Sequence, residues 1–191
     1  MANGADPDGV PDAIERRVDG RTVALRPARR SDLDRMHELN NAAVPSVNDL
    51  TIEEMAWFLE VSWCCLVAEV LPEASNHGGN RLVVGFLVGL DGPVVPYGSL
   101  NYEWFCERYD HFLYVDRVVV DPSAYRLGVG RAFYEAFVAT ADGHSHLCAE
   151  VNTLPRNDRS LAFHDAMEFD PVGSRSDKES GKTVRMYALG V

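Results

Sequence analysis

The 191-residue sequence has no apolar run approaching the ~18–20 residues that span a bilayer, so a helical membrane protein is not expected. Its first residues carry neither a basic stretch nor an apolar core, so no secretory signal is expected either. Cysteine is sparse. Cys64, Cys65, Cys106 and Cys148 include one adjacent pair and no C-x-x-C spacing. Without an export signal, they read as reduced thiols of a cytoplasmic protein. Positive charge is in deficit, with 18 Lys and Arg against 29 Asp and Glu, a formal −11. That balance argues against a nucleic-acid partner gripped by a broad basic face. An acidic surface serves solubility first, and it would also suit a cationic or amine substrate. No internal repeat is visible.

What is present is ordinary for a globular chain: 46% apolar and 25% charged residues. The length suits one domain burying about 70% of its unfolded surface. Residues 1–20 hold Asp6, Asp8, Asp12, Glu15 and Asp19 among glycines and prolines, and read as an acidic flexible tail. Residues 21–191 read as one domain.

Within that domain the first expected strand runs Arg21–Arg26. A helix follows with Ser31 as its cap and Leu33, Met36 and Leu39 along one face. Thr51 and Glu54 form a capping box ahead of Met55, Ala56 and Leu59. Strands are expected at Trp63–Val70 and Arg81–Leu90, with Leu71–Asn80 as the hairpin loop between them. A looser aromatic segment, Val94–Asp110, has room for one short helix. Phe112–Val120 is the strongest strand in the chain, stopped by Asp121-Pro122. A helix over Gly128–Asp142, a strand at Leu147–Val151 and a helix capped by Asn157 or Asp158 come next. Strands near Phe169–Gly173 and Thr183–Leu189 close the chain. The order βααβββαβαβ predicts an α/β fold, a mixed sheet flanked by helices with one parallel crossover.

One stretch carries chemistry. Val118, Val119 and Val120 run into a turn, and Gly128 and Gly130 then open a helix. Glycines without Cβ let an anion approach the backbone, and the first N–H groups of a helix point at it unpaired. Arg126 and Arg131 flank the turn and would add charge-assisted contacts. A dinucleotide fingerprint needs a third glycine where Phe133 stands. A P-loop ending in Gly181-Lys182-Thr183 would need glycine where Ser176 stands, and a strand follows it rather than a helix. A third reading is a pyrophosphate turn for coenzyme A, against the plain alternative of an ordinary strand-to-helix turn.

The stretch resembles motif A of the GNAT superfamily, the GCN5-related N-acetyltransferases, and the resemblance spans roughly residues 21–191. Val118, Val120, Gly128 and Gly130 match its pattern; Tyr125 stands where arginine or glutamine is usual. Asn157, Ser160 and Phe169 are similar to motif B. The resemblance implies acetyl transfer from acetyl-CoA to an amine. It places the pantetheine arm along the backbone of Val118, Val119 and Val120. The pyrophosphate falls on Arg126, Leu127, Gly128, Val129, Gly130 and Arg131, and Asn157 lies against the cofactor arm.

The reaction needs a base, because an amine with a pKa near ~10 must shed a proton before it attacks. Asp116 is the first candidate, two residues before Val118 and so on the same strand face. Glu150 on the next strand is the second. For the acid, family members often carry a tyrosine five residues before the aromatic that follows the last helix; His164 occupies that position here. Glu168 stands where a glycine usually precedes that aromatic. Tyr97, Tyr102, Trp104 and Phe105 are candidates for lining the acceptor side, or form a hydrophobic cluster under a long loop. Asn40, Asn41 and Asn48 either bond an acceptor or end the first helix. His144, His146 and Cys148 alternate along a strand but lack a fourth ligand, so no metal is expected. The expected partner is a small-molecule or peptide amine, with no nucleic acid and no membrane. Exposed edge strands would allow a homodimer. The rival expectation is a non-catalytic acyl-CoA-binding or sensing module, kept open by His164 in the tyrosine position.

Overall fold

The computed structural model describes residues 14–18, 21–71 and 81–191. The expected loop at 72–80 and the first thirteen residues of the expected tail lie outside the described residues. The chain forms two compact units, one holding residues up to Gly89 with Arg117–Thr140, the other Leu90–Asp116 with Ala141–Val191. No helix among the described residues is long and apolar enough to cross a membrane.

In the first unit, β1 (Ile14–Val18), β2 (Arg21–Pro27), β3 (Cys64–Leu71) and β4 (Leu82–Gly92) pair antiparallel in chain order. β1 corrects the expected tail: residues 14–18 are a strand, in register from Ile14↔Leu25 to Val18↔Arg21. Its basis is backbone pairing, since it covers the otherwise unpaired edge of β2. Helices α1 (Leu33–Ala42) and α2 (Ile52–Val61) follow β2 and bury Met36, Leu39, Met55 and Phe58. The expected capping box is present: Glu54 N–H donates to Thr51 Oγ1 at 3.1 Å, and Thr51 N–H to Glu54 Oε2 at 2.7 Å. Ser31 is not the cap of α1. It sits in a 3₁₀ turn, Arg30–Asp32, where Asp32 accepts from Arg29 N–H at 2.8 Å and from both terminal nitrogens of Arg26 at 2.7 and 2.8 Å. Asp32 stands at the N-cap position of α1 and makes no side-chain cap bond to it.

Two glycines of β4 admit α4 (Val129–Val138) to the sheet. A Cβ at Gly89 would lie 2.2 Å from the Phe137 ring, and one at Gly85 would lie 2.7 Å from Val119 O and 3.4 Å from the Phe133 ring. Gly85 and Gly89 share one strand face, and Phe133 and Phe137 share one helix face. α4 ends at Val138, short of the expected Asp142. Thr140 Oγ1 donates to Phe137 O at 2.8 Å and accepts from Trp63 Nε1 at 3.1 Å, which ties off the last turn.

In the second unit, β5 (Phe112–Val120, here up to Asp116) runs parallel to β6 (His146–Leu154), from Phe112↔His146 to Val115↔Ala149. β6 pairs antiparallel with β8 (Thr183–Gly190), and β8 with β7 (Asp170–Ser176). One parallel pair among antiparallel ones, with flanking helices, is the mixed sheet expected from the sequence. Helix α3 (Leu100–Cys106) is the short helix expected in the aromatic segment, and α5 (Asp158–Ala166) carries Asn157 as its cap. The core between α3 and β5 is aromatic. Tyr102 lies 5.2 Å from Tyr114 and 5.8 Å from Phe112, and Phe105 lies 5.8 Å from Tyr114.

Candidate functional site

In the first unit, the end of β5 leads into the glycine turn. Asp121 N–H donates to Val84 O at 2.7 Å, and the Asp121 carboxylate accepts from Ser123 N–H, Ser123 Oγ and Arg35 Nη2. These bonds fix the strand exit and hold the Asp121 carboxyl below the usual range, the Ser123 bonds foremost. Val119 is buried and its neighbours Val118 and Val120 are half-buried, so the latter two share the more open face, as alternation requires.

The turn then passes twice through the left-handed region, at Arg126 (φ 66°) and Gly128 (φ 73°). Leu127 and Val129 are buried and anchor the turn, while Arg126 and Arg131 are exposed. Gly128 caps α4 without a side chain, and a Cβ there would meet nothing within 4 Å. The first bond inside the helix is Ala132 N–H to Gly128 O, at 2.9 Å. The N–H groups of Val129 and Gly130 come before it, in the first turn at the positive end of the helix. This donor set fits a pyrophosphate.

In the second unit, a carboxylate is held in a polar pocket of its own. Glu150 accepts from Tyr114 Oη at 2.8 Å through Oε2 and from Asn101 Nδ2 at 3.1 Å through Oε1. Burial pushes the Glu150 carboxyl up to about 7, the negative charge of Asp116 adds to the rise, and the two donors oppose it. Asp116 and Glu150 are the next residues on their strands after the last parallel pair, Val115↔Ala149. Tyr114 is buried, and burial followed by the Glu150 charge holds its hydroxyl well above the usual phenol range, so it remains a donor.

His164 is 3% exposed on α5. Its Nδ1 lies 2.8 Å from Ser160 O, and its ring stacks on Tyr187 with centroids 5.2 Å apart. Burial lowers its pKa, so the imidazole is neutral at pH 7 and donates Nδ1–H to that carbonyl. Asn157 Oδ1 accepts from Ser160 N–H at 3.1 Å, the helix-cap bond.

The aromatic candidates divide. Tyr102 and Phe105 are 2% and 0% exposed and belong to the core under β5. Tyr97 and Trp104 are half-buried, with the Arg108 guanidinium 3.7 Å above the Trp104 ring. Asn40 is fully buried in the first unit and accepts from Arg117 Nη1 at 2.9 Å. His144 bonds Asp91 at 3.0 Å, His146 packs on Tyr109 with ring centroids 4.4 Å apart, and Cys148 is buried. Among the described residues, no three His, Cys, Asp or Glu side chains are grouped to hold a metal ion. All four cysteines are free. Burial pushes the Cys64 and Cys65 thiols up to about 12, too high for a thiolate at neutral pH.

Sequence reading missed Tyr114, Asn101 and Arg175. Tyr114 was within reach, since it lies two residues before Asp116 on the same strand face. Asn101 and Arg175 are 74 residues apart and meet only through folding, Arg175 Nη1 donating to Asn101 Oδ1 at 3.1 Å.

The sequence profile of the acetyltransferase (GNAT) family matches residues 34–169. No curated protein matches the sequence. Among solved structures, the chain is similar to Arabidopsis thaliana NAA60 in complex with acetyl-CoA, with a TM-score of 0.68 and 15% identity, covering 88% of this chain and 99% of that one. An N-acetyltransferase from Staphylococcus aureus Mu50 aligns with a TM-score of 0.60 and 20% identity over 88% and 98% of the two chains. The ribosomal-protein-S18-alanine N-acetyltransferase of Escherichia coli aligns with a TM-score of 0.60 and 16% identity over 88% and 94%. At these identities the likeness is one of fold.

Proposed function

The chain belongs to the acetyltransferase (GNAT) family, and from that membership we propose that it moves an acetyl group from acetyl-CoA to an amine, with Glu150 taking the amine's proton. Acetyl-CoA supplies the activated thioester carbonyl. The backbone N–H groups of Val129 and Gly130 would hold its pyrophosphate, with Arg126 and Arg131 adding charge. Val118, Val119 and Val120 would present their backbone to the pantetheine arm.

The observation that carries the reading is Glu150. An alkylammonium near ~10 must lose a proton to become a nucleophile. A carboxyl with its pKa at about 7 is partly ionised at neutral pH and is basic enough to receive that proton. Tyr114 and Asn101 each occupy one lone pair, leaving others on each oxygen for the incoming proton or a water that relays it. Asp116 contributes negative charge, which raises Glu150 and favours an ammonium beside it.

The departing thiolate of coenzyme A, with a pKa of roughly 8.5, requires little acid assistance. We assign His164 to packing α5 on Tyr187, because its Nδ1 proton is engaged by Ser160 O. The acceptor is a small-molecule or peptide amine, in keeping with a net acidic chain. The same His164 packing also favours a second reading, a module that binds acyl-CoA without turnover.

A thiol-release assay with acetyl-CoA and a panel of amino acids, polyamines, aminoglycosides and peptide N-termini separates the two. Release that depends on one amine class supports the transferase. Saturable coenzyme A binding with no release on any amine supports the module.

A further inference from the structure

We propose that Arg175 and Asn101 are positioning residues for Glu150: the arginine locks the asparagine amide so that its N–H, not its carbonyl, faces the carboxylate. An amide can present either end to a neighbour, and here both neighbours dictate the choice. The guanidinium of Arg175 only donates, and its Nη1 lies 3.1 Å from Asn101 Oδ1. An ionised Glu150 only accepts, and its Oε1 lies 3.1 Å from Asn101 Nδ2. Rotating the amide by 180° would set donor against donor at Arg175 and acceptor against acceptor at Glu150.

A second contact keys α3 to β7 in the same register. Asn101 and Trp104 are three apart on α3, hence on one face, and Gly173 and Arg175 are two apart on β7, hence on one face. A Cβ at Gly173 would lie 2.6 Å from the Trp104 ring, so only glycine admits the indole there. Trp104 over Gly173 and Asn101 against Arg175 thus seat the helix at two points. α3 comes from the aromatic segment, which the transferase motifs do not use.

The consequence is a bias on Glu150. The groups facing it are Tyr114 and Asp116 from β5, Cys148 on its own strand, Asn101 from α3 with Arg175 of β7 behind it, and Met186 opposite on β8. Burial and Asp116 favour its protonated form, whereas Tyr114 and Asn101 favour the ionised form. Loss of Arg175 frees the amide to turn its carbonyl toward Glu150, where it accepts a hydrogen bond from the O–H of the neutral acid and stabilises that form. The link to catalysis rests on Glu150 being the base; the positioning itself does not.

The test is the titration of the Glu150 carboxyl, followed by 13C NMR on glutamate-labelled protein and identified by the resonance missing in Glu150→Gln. The Glu150 midpoint is expected to rise by about one pH unit in Arg175→Met and in Asn101→Ala, the scale of one hydrogen bond to a charged group. Arg175→Lys, which keeps a cationic donor, is expected to stay near wild type. Arg175→Met/Asn101→Ala is expected to shift no further than either single change, because both break one relay. Both side chains are half-buried, and an amide fingerprint spectrum checks that each variant is folded. A folded Arg175→Met whose midpoint is unmoved overturns the proposal, as do single shifts that add in the double variant. Because the midpoint is read without turnover, these results stand whether or not Glu150→Gln retains activity. A Glu150→Gln protein that still turns over would overturn the base assignment alone.

Discussion

The hydroxyl of Tyr114 donates a 2.8 Å hydrogen bond to Glu150 Oε2, and the parallel ladder joining their strands ends one residue beyond Tyr114, at Val115↔Ala149. The last pair but one of the ladder therefore supplies a donor, and the first residues past the ladder supply two carboxylates, Asp116 and Glu150. The negative charge of Asp116 adds to the rise at Glu150, after burial.

Asp116→Asn separates their roles. Removing a negative charge beside Glu150 lowers its pKa, so the acid limb of the kcat/KM profile should move to lower pH while turnover persists. A pH series of initial rates with acetyl-CoA and an accepted amine reads the shift. Loss of turnover by ~10²-fold or more across the profile would instead make Asp116 the base.

Glu150 also ties stability to pH. Its folded pKa of about 7 lies above the ordinary 4.5, so its favourable contribution is fully present below about 4.5 and is lost as pH rises through about 7. At ~1.36 kcal/mol per pH unit, a rise from 4.5 to about 7 makes the swing on the order of 3 kcal/mol. Melting wild type and Glu150→Gln side by side at pH 5 and pH 8 checks the sign. The difference in Tm should move in favour of the glutamine variant at the higher pH.

Gly128→Ala should weaken coenzyme A binding. At φ 73° an L-residue costs ~1–2 kcal/mol, and its Cβ would project into the open space where a cofactor phosphate would approach. Calorimetric titration with coenzyme A should show a Kd raised by about tenfold, with a modest loss in Tm.

Glu168→Gly should stabilise the chain. Glu168 holds φ 62° at the exit of α5, where Phe169 N–H bonds His164 O at 3.1 Å, and glycine adopts that conformation without the Cβ penalty. A gain of about 0.5–1 kcal/mol is expected after the added chain entropy of glycine. For a chain of this size that raises Tm by roughly 1–4 °C.

Much of the fold was legible in the sequence. Phe112–Val120, the Thr51–Glu54 box and the Asn157 cap follow from local rules, which act over a few residues and leave their mark in periodicity. β1 was not read, because Asp19-Gly20 is at once a chain-breaking pair and a common hairpin signal, and the strand before it lacks alternation. Glu168 stands where the resemblance implies glycine, and its left-handed φ of 62° is the physical content of that departure.

The glycine turn was legible for the same reason as the caps, as a local demand for open backbone. The surroundings of Glu150 were not. Its partners come from α3, β5 and, behind Asn101, β7, and no spacing in the chain records that Arg175 lies behind Asn101. Asp116 ranked first in the sequence because period 2 aligned it with Val118, whereas desolvation, the main cause of the rise at Glu150, is a property of the folded protein alone.

The proton acceptor decides the mechanism. The most direct measurement is the pH dependence of kcat/KM for acetyl transfer to an accepted amine in wild type and Glu150→Gln. Wild-type activity should rise with pH through about 7 as Glu150 ionises, and the variant should lose that inflection and fall by ~10²–10⁴-fold at pH 7. A folded Glu150→Gln protein with wild-type kcat/KM and the same inflection would contradict the account.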